Sequence, residues 1–207
     1  MYIRLRTIED LSYRETVDKI VELNEHTRSF WSESQGWAPI DAANLLSKSR
    51  LDWLVSLSYS LYKWENDPEQ EAQYGDLILA WSNLGALVEG SMKFFLSVYY
   101  ENYKSNINII KKSGNQVDPD GAMFDGLRNF FKKSVWDSDE RQGKNDWLSE
   151  IQGKRNAIHS YKDRQIDDFN FFRKQVKKYL SFLIELLERV PYPDEHYGPD
   201  LSISLLK

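Results

Sequence analysis

The sequence predicts an all-α fold, a single bundle of five or six helices around one long central helix. Three observations point to this fold class. Apolar residues recur every three or four positions between residues 77 and 96, which is the period of a helix that buries one face. The alternation of apolar and polar residues that is typical of strands does not persist, except over a short run at 201–205. Clusters of Gly, Pro, Asn and Asp separate the helical stretches.

The breaks define six helical segments in chain order, at 7–30, 41–64, 76–106, 124–136, 146–161 and 167–189. Asp41 is expected to cap the second segment, because an aspartate side chain accepts hydrogen bonds from free N–H groups at a helix start. The third segment is the longest, about 45 Å at the usual rise per residue, and is expected to be the central helix. Three regions follow: an N-terminal helix and loop at 1–40, the bundle at 41–190, and an extended C-terminal tail at 191–207.

Composition excludes several classes of site. The 207 residues include no cysteine, so disulfides, thiolate metal sites and cysteine nucleophiles are excluded. The three histidines are dispersed, which leaves poor material for a zinc site. The phosphate loop GxxxxGK, the metalloprotease motif HExxH and the nucleophile motif GxSxG do not occur. The sequence therefore predicts neither a metal nor a cofactor.

The chain carries no recognisable targeting segment. Its first residues are charged from the fourth onward, so they lack the apolar stretch of a signal peptide. The most apolar region, residues 77–100, is interrupted by Ser82, Asn83, Glu89, Ser91 and Lys93, which argues against a membrane span. Together with the absence of cysteine, these features predict a cytoplasmic protein.

Charge is distributed unevenly along the chain. The net charge of −5 argues against electrostatic binding of nucleic acid by the whole surface. From residue 150 to 190, however, nine basic residues accompany six acidic ones, an excess of three positive charges. This segment could bind a phosphate-bearing ligand, or it could be an ordinary solvated helix face.

The same segment contains the stretch KRNAIHSY, residues 154–161. On a continuous α-helix, Arg155 and His159 stand about 40° apart around the axis, because they are four positions apart. They would then flank a buried stripe made by Trp147, Ile151 and Ile158. The other two histidines, at positions 26 and 196, lie in polar stretches and are expected at the surface.

An arginine and a histidine held together suit phosphate chemistry. A guanidinium offers a planar fork of donors to a phosphate, and an imidazole exchanges protons near neutral pH. For RNA, such a histidine could deprotonate a 2′-hydroxyl or protonate a leaving 5′-oxygen, and the arginine could stabilise the charge on the phosphorane. The structural alternative is that both residues complement the dipole at the end of their helix.

The stretch KRNAIHSY resembles the signature of the HEPN superfamily, whose name refers to nucleotide binding in higher eukaryotes and prokaryotes. The matching positions are Arg155, the polar Asn156 and His159, with the aromatic Tyr161 after the histidine. The long helix, in LGALVEGSMKFFLSVYY, also resembles an earlier helix of that family, with Glu89 in the place of a recurrent acid. The resemblance covers about residues 41–190. Three residues separate Arg155 from His159, one fewer than the family's usual minimum.

The resemblance implies a compact helical bundle and a metal-independent endoribonuclease of toxin–antitoxin or phage-defence type, acting at a composite cleft of a homodimer. It implies that Arg155, Asn156 and His159 are catalytic, that Glu89 supports them, and that an antitoxin or defence-system protein could be a partner. The residues expected to bind RNA are Lys154, Tyr161, Lys162 and Arg164. Because of the shortened spacing, two other functions stay open: a non-catalytic bundle that binds nucleotide, RNA or a partner protein, and a structural assembly protein.

Overall fold

A computed structural model describes residues 7–159 and 164–203, and within these ranges the chain folds into eight α-helices and one short β-hairpin. The prediction of an all-α bundle is confirmed. The helices are α1 (Tyr13–Trp31), α2 (Ile40–Lys48), α3 (Leu51–Ser60), α4 (Gln73–Val98), α5 (Tyr100–Lys104), α6 (Phe124–Ser134), α7 (Ser138–Arg155) and α8 (Phe169–Glu188). Over the described ranges, no helix has both the length and the apolarity that a membrane crossing requires.

The helix predicted at 41–64 is interrupted, which makes two helices of one. Ser49 adopts an extended conformation with ψ 140°, so α2 ends there and α3 begins two residues later. Asp41 does not cap α2, because Pro39 occupies the position before the helix and Asp41 lies in the first turn. A carboxylate in the first turn still favours the helix, since it faces the positive end of the helix dipole.

The long helix predicted at 76–106 is also interrupted. It begins slightly earlier, at Gln73, and ends at Val98. Tyr99 has φ −94° and ψ 36°, outside the helical range, and separates α4 from the short α5. Two interruptions therefore turn the six predicted helices into eight. The 26 residues of α4 span about 39 Å, so α4 is still the longest helix.

The motif helix α7 begins earlier than its polar sequence suggests. It starts at Ser138, where the prediction placed the start near residue 146. Asp139 and Glu140 lie in the first turn, where negative charge is favourable. The Lys144 ammonium lies 2.6 Å from the carboxylates of both Glu140 and Glu185, which ties this polar end of α7 to α8.

The loop predicted between α5 and α6 contains a β-hairpin. Lys111–Lys112 (β1) pairs antiparallel with Asn115–Gln116 (β2). The turn residues Ser113 and Gly114 have positive φ angles of 51° and 85°. Left-handed angles at both central residues are typical of the tight turns that join such short strands.

Helix α4 lies at the centre of the bundle and packs against α2, α3, α6, α7 and α8. Helix α1 packs against α3 and α8, and its buried side chains belong to the same hydrophobic core. Helix α1 therefore contributes to the core of the bundle. After α8, the Tyr192 ring lies 5.0 Å from the ring of Phe30 in α1. Because α7 packs against α4, the stretch KRNAIHSY, which begins in the last turn of α7, starts beside the central helix.

Candidate functional site

The motif spans the end of α7 and the turn that follows it. The α-helix ends at Arg155 and continues as a 3₁₀ turn, Asn156–His159. The Asn156 N–H donates to the backbone carbonyls of Gln152 and Lys154. Side chains three positions apart eclipse each other in a 3₁₀ turn, so Asn156 and His159 lie on one side of it. The angle of about 40° between Arg155 and His159, expected for a continuous α-helix, does not apply.

The tighter winding of the turn also changes which residues are buried. Trp147 and Ile151 are in the core as predicted, but Ile158 is 48% exposed. The prediction that Ile158 continues the buried stripe is wrong, because a 3₁₀ turn rotates each residue further than an α-helix does. Ala157 is buried instead, and His159 is exposed.

Arg155 lies across a glycine of the central helix. A Cβ atom at Gly85 would stand 2.6 Å from the Arg155 Cβ and 2.7 Å from its Cγ and Cδ. The aliphatic stem therefore occupies the space that any other residue at position 85 would fill. The guanidinium lies 5.9 Å from the centre of the Phe124 ring, close enough for a cation–π contact. The side chain is one-third exposed, so its charged end reaches the surface.

Glu89, one helical turn after Gly85, faces the same guanidinium. Its Oε2 lies 2.9 Å from Arg155 Nη2, and its Oε1 lies 2.8 Å from Lys93 Nζ. The side chain of Glu89 is only 12% exposed, so the charge attraction is weakly screened. The contact with Arg155 is short but not aligned as a hydrogen bond, since Oε2 is a buried acceptor with no aligned donor. Arg155 therefore keeps donors for another acceptor.

Lys154 does not lie where an RNA backbone could reach it. Its side chain is 8% exposed, and its ammonium forms an ion pair with Asp167 and lies 3.6 Å from Glu150. The ammonium also lies 5.2 Å from the centre of the Trp81 ring and 5.0 Å from that of Phe171. These contacts hold α7 against α4 and α8, and they do not favour the expected role of Lys154 in RNA binding.

The remaining expected RNA-binding residues fall in two groups. Arg164 is exposed, and its Nη1 lies 3.4 Å from the Gly153 carbonyl oxygen, so it folds back along α7. Tyr161 and Lys162 lie outside the described residues. Of the two expected RNA-binding residues that the structure describes, Lys154 is buried and Arg164 is exposed.

The charges around the motif are largely balanced. Arg155 and Lys93 share Glu89, and Lys154 contacts Glu150 and Asp167. Pairing of this kind lowers the positive potential that a phosphate would meet. No group of three or more His, Asp or Glu side chains that could hold a metal ion occurs among residues 7–159 and 164–203.

The residues that sequence analysis missed are those that position the motif. Trp81 donates from Nε1 to the Ile166 carbonyl at 2.8 Å, which holds the segment after the motif onto α4. Asp167 has a positive φ of 57° and pairs with Lys154. An aspartate in the left-handed region is uncommon, but the sequence offers no signal for its distant partner.

His26 differs from the prediction of a surface histidine. Its side chain is half-buried, its Nδ1 has no hydrogen-bond partner in the described part of the chain, and its ring lies 5.8 Å from that of Tyr192. Burial lowers the pKa of His26, and this outweighs the opposing effects of the Tyr197 backbone and Glu22. The folded state therefore takes up this proton at a lower pH than the unfolded chain.

Stability should consequently fall as the pH drops below the ordinary histidine pKa of about 6.5 towards the lower pKa of folded His26. We expect His26→Gln to reduce the loss of unfolding free energy between neutral and mildly acidic pH by about 0.5 kcal/mol or less, because the ring is partly solvated. Urea unfolding of both proteins at the two pH values measures this difference. Equal losses in both proteins would rule out His26 as a contributor.

The resemblance to the HEPN superfamily is an expectation from the sequence alone. Three kinds of comparison bear on it. No family model, no curated protein and no solved structure matches this chain.

Proposed function

We propose that this chain is a metal-independent endoribonuclease of the HEPN type, with Arg155 and His159 as the reacting groups. The observation that most supports it is the placement of Arg155, whose stem lies on Gly85 and whose guanidinium lies 2.9 Å from Glu89. A partly exposed arginine fixed in this way is preorganised to clamp a phosphate. His159 is exposed on the turn that follows, so its imidazole is accessible from solvent.

In the proposed reaction, a ribose 2′-hydroxyl attacks the adjacent phosphorus, a 2′,3′-cyclic phosphate forms, and the bond to the 5′-oxygen breaks. A neutral His159 accepts the proton of the 2′-hydroxyl, and a protonated histidine donates a proton to the leaving 5′-oxygen. Arg155 stabilises the negative charge that builds on the phosphorane, and Asn156 orients the phosphate or the imidazole. One histidine cannot be base and acid at once, so the proposal includes a homodimer in which a second copy supplies the other His159.

The proposal extends to the setting of the protein. Arg164, together with Tyr161 and Lys162, would contact the RNA backbone beside the cleft. The HEPN resemblance supports a toxin–antitoxin or phage-defence system, with an antitoxin or another defence protein as partner. The lack of cysteine supports a cytoplasmic location.

Cleavage of labelled single-stranded RNA in EDTA tests the reaction directly. We expect His159→Ala and Arg155→Gln each to lower the cleavage rate by about 100-fold or more, because each removes a group that acts in the transition state. His196→Ala is the matched control, since it removes a histidine whose side chain is 95% exposed and lies in the C-terminal tail. Cleavage by His159→Ala at the rate of the unaltered protein would refute the proposed mechanism.

A second candidate function is a non-catalytic bundle that binds nucleotide, RNA or a partner protein. The balanced charges around the motif favour it, because Lys154 and Arg155 each already contact a carboxylate. This candidate predicts that RNA stays intact in the same assay while binding saturates, and that Arg155→Gln weakens the binding. RNA cleavage that depends on His159 would exclude it.

A further inference from the structure

A pocket of about 250 Å³ lies where α4 gives way to α5, between α6 and the end of α8. Its lining residues differ from those of the candidate site, and none of the lining residues is an aspartate or a glutamate. Pockets that bind small ligands usually combine an apolar surface with a few convergent polar groups. This pocket has both.

Aromatic side chains form the floor. Phe95 and Tyr103 project from α4 and α5, Phe130 projects from α6, and all three are at most 4% exposed. The rings of Tyr103 and Phe130 have centres 5.1 Å apart. These two rings are inclined to each other by 58°, and together they give the pocket an aromatic floor on which another ring can pack.

The positively charged side chain of Arg189 lies at the rim of the pocket. The Arg189 guanidinium stands 5.2 Å from the centre of the Phe95 ring, and its Nη2 donates to the Val135 carbonyl at 3.2 Å. In the described part of the chain no carboxylate pairs with it, so its other N–H groups have no acceptor. Arginine donors of this kind bind carboxylates and phosphates strongly. The pocket therefore favours an anion over a cation.

Neutral polar groups complete the rim and fix its shape. The Asn102 amide has no hydrogen-bond partner among residues 7–159 and 164–203. Ser134 Oγ donates to Asn106 Oδ1 at 3.2 Å. The Tyr99 hydroxyl donates to the Arg189 carbonyl, which holds the end of α8 against the end of α4. Burial raises the pKa of Tyr99, so this hydroxyl stays protonated at neutral pH.

We propose that this pocket binds a small planar organic anion, with its ring on the floor of Phe95, Tyr103 and Phe130 and its anionic group on Arg189. The Asn102 amide would then recognise a polar edge of the ring. This binding site goes beyond the proposed ribonuclease and does not depend on it. A purely apolar ligand would bury the Arg189 charge without a partner, and a cation would meet the guanidinium with no carboxylate to offset it.

Isothermal titration calorimetry with the full chain tests the proposal with two anionic probes, adenosine monophosphate and benzoate. We expect saturable binding of at least one probe, and binding at least about tenfold weaker for its neutral counterpart, adenosine or benzyl alcohol. Binding of adenosine monophosphate alone would identify a nucleotide ligand, and binding of benzoate alone an aromatic acid. Failure of both probes to bind at about 10 mM would overturn the proposal.

Single substitutions test whether the probe binds in this pocket. Arg189→Gln should weaken it at least about tenfold, and Asn102→Trp, which fills the mouth from an exposed position, should do the same. Lys133→Gln is the matched control, since it removes an exposed positive charge of α6 outside the pocket. Binding that Arg155→Gln weakens and Arg189→Gln leaves unchanged belongs to the candidate functional site and would contradict the proposal. Circular dichroism confirms that each variant is folded.

Discussion

Replacement of Gly85 by alanine is expected to lower the free energy of unfolding by about 1–3 kcal/mol, although alanine is the better helix former. The added methyl group would stand 2.6 Å from the Arg155 Cβ, a distance that side-chain atoms do not tolerate. The Arg155 Cβ is attached directly to the backbone of α7, so rotation of the side chain cannot relieve the contact. The two helices must instead move apart, which loosens the core between them.

Gly153→Ala is the matched control for this prediction. Gly153 lies in the motif helix, and a Cβ there would meet no atom within 4 Å. The higher helix propensity of alanine should then raise the unfolding free energy by about 0.5–1 kcal/mol. Urea unfolding followed by tryptophan fluorescence measures both changes. A Gly85→Ala protein as stable as the unaltered chain would show that α4 and α7 do not pack in the described way.

The second large effect is expected for Asp167→Asn, which should lower the unfolding free energy by about 1–2 kcal/mol. The change leaves the Lys154 ammonium in the core without its main counter-charge. The expected loss is smaller than for a fully buried pair, because the Asp167 side chain is 29% exposed and Glu150 stays 3.6 Å from the ammonium. Asparagine is the right replacement, since it tolerates the positive φ of position 167 at least as well as aspartate.

A double substitution separates the loss of the pair from the burial of a lone charge. Lys154→Met with Asp167→Asn removes both charges and keeps an unbranched chain between the rings of Trp81 and Phe171. We expect it to recover most of the stability lost in Asp167→Asn, because breaking a buried pair costs more than replacing both partners. Asp125→Asn, at a carboxylate that is 61% exposed, should change stability by less than about 0.5 kcal/mol. A double variant less stable than Asp167→Asn would contradict this account.

Most helices of this chain could be predicted because they depend on residues that are close together in the sequence. The recurrence of apolar residues at three- and four-residue spacing identifies α4 and α8, and the glycine–proline breaks identify the loops. The interruptions at Ser49 and Tyr99 have no such signal. Neither position lies beside a glycine or a proline, so neither break can be predicted from the residues that usually end a helix.

The sequence identified the residues of the candidate site but not the environment of each side chain. Lys154 and Arg155 are adjacent and carry the same charge, yet one ammonium is enclosed by Trp81 and Phe171 and the other cation reaches the surface. One step along a helix rotates a side chain by about 100°, which decides between these environments. The predicted positions of Ile158 and His159 also assumed a continuous α-helix. The chain instead forms a 3₁₀ turn after Arg155, and Ile158 is largely exposed.

Glu89 has a consequence for how the guanidinium could be released to a ligand. This carboxylate contacts two cations, Arg155 and Lys93, through different oxygen atoms. In the proposed complex with a phosphate, Glu89 would lose Arg155 but would keep Lys93 as a counter-ion, so its charge would not be left unpaired in a poorly hydrated site. Exchange of partners at this carboxylate therefore costs less than the rupture of an isolated ion pair. The arrangement can hold an arginine in place before a ligand arrives and still give it up when one binds.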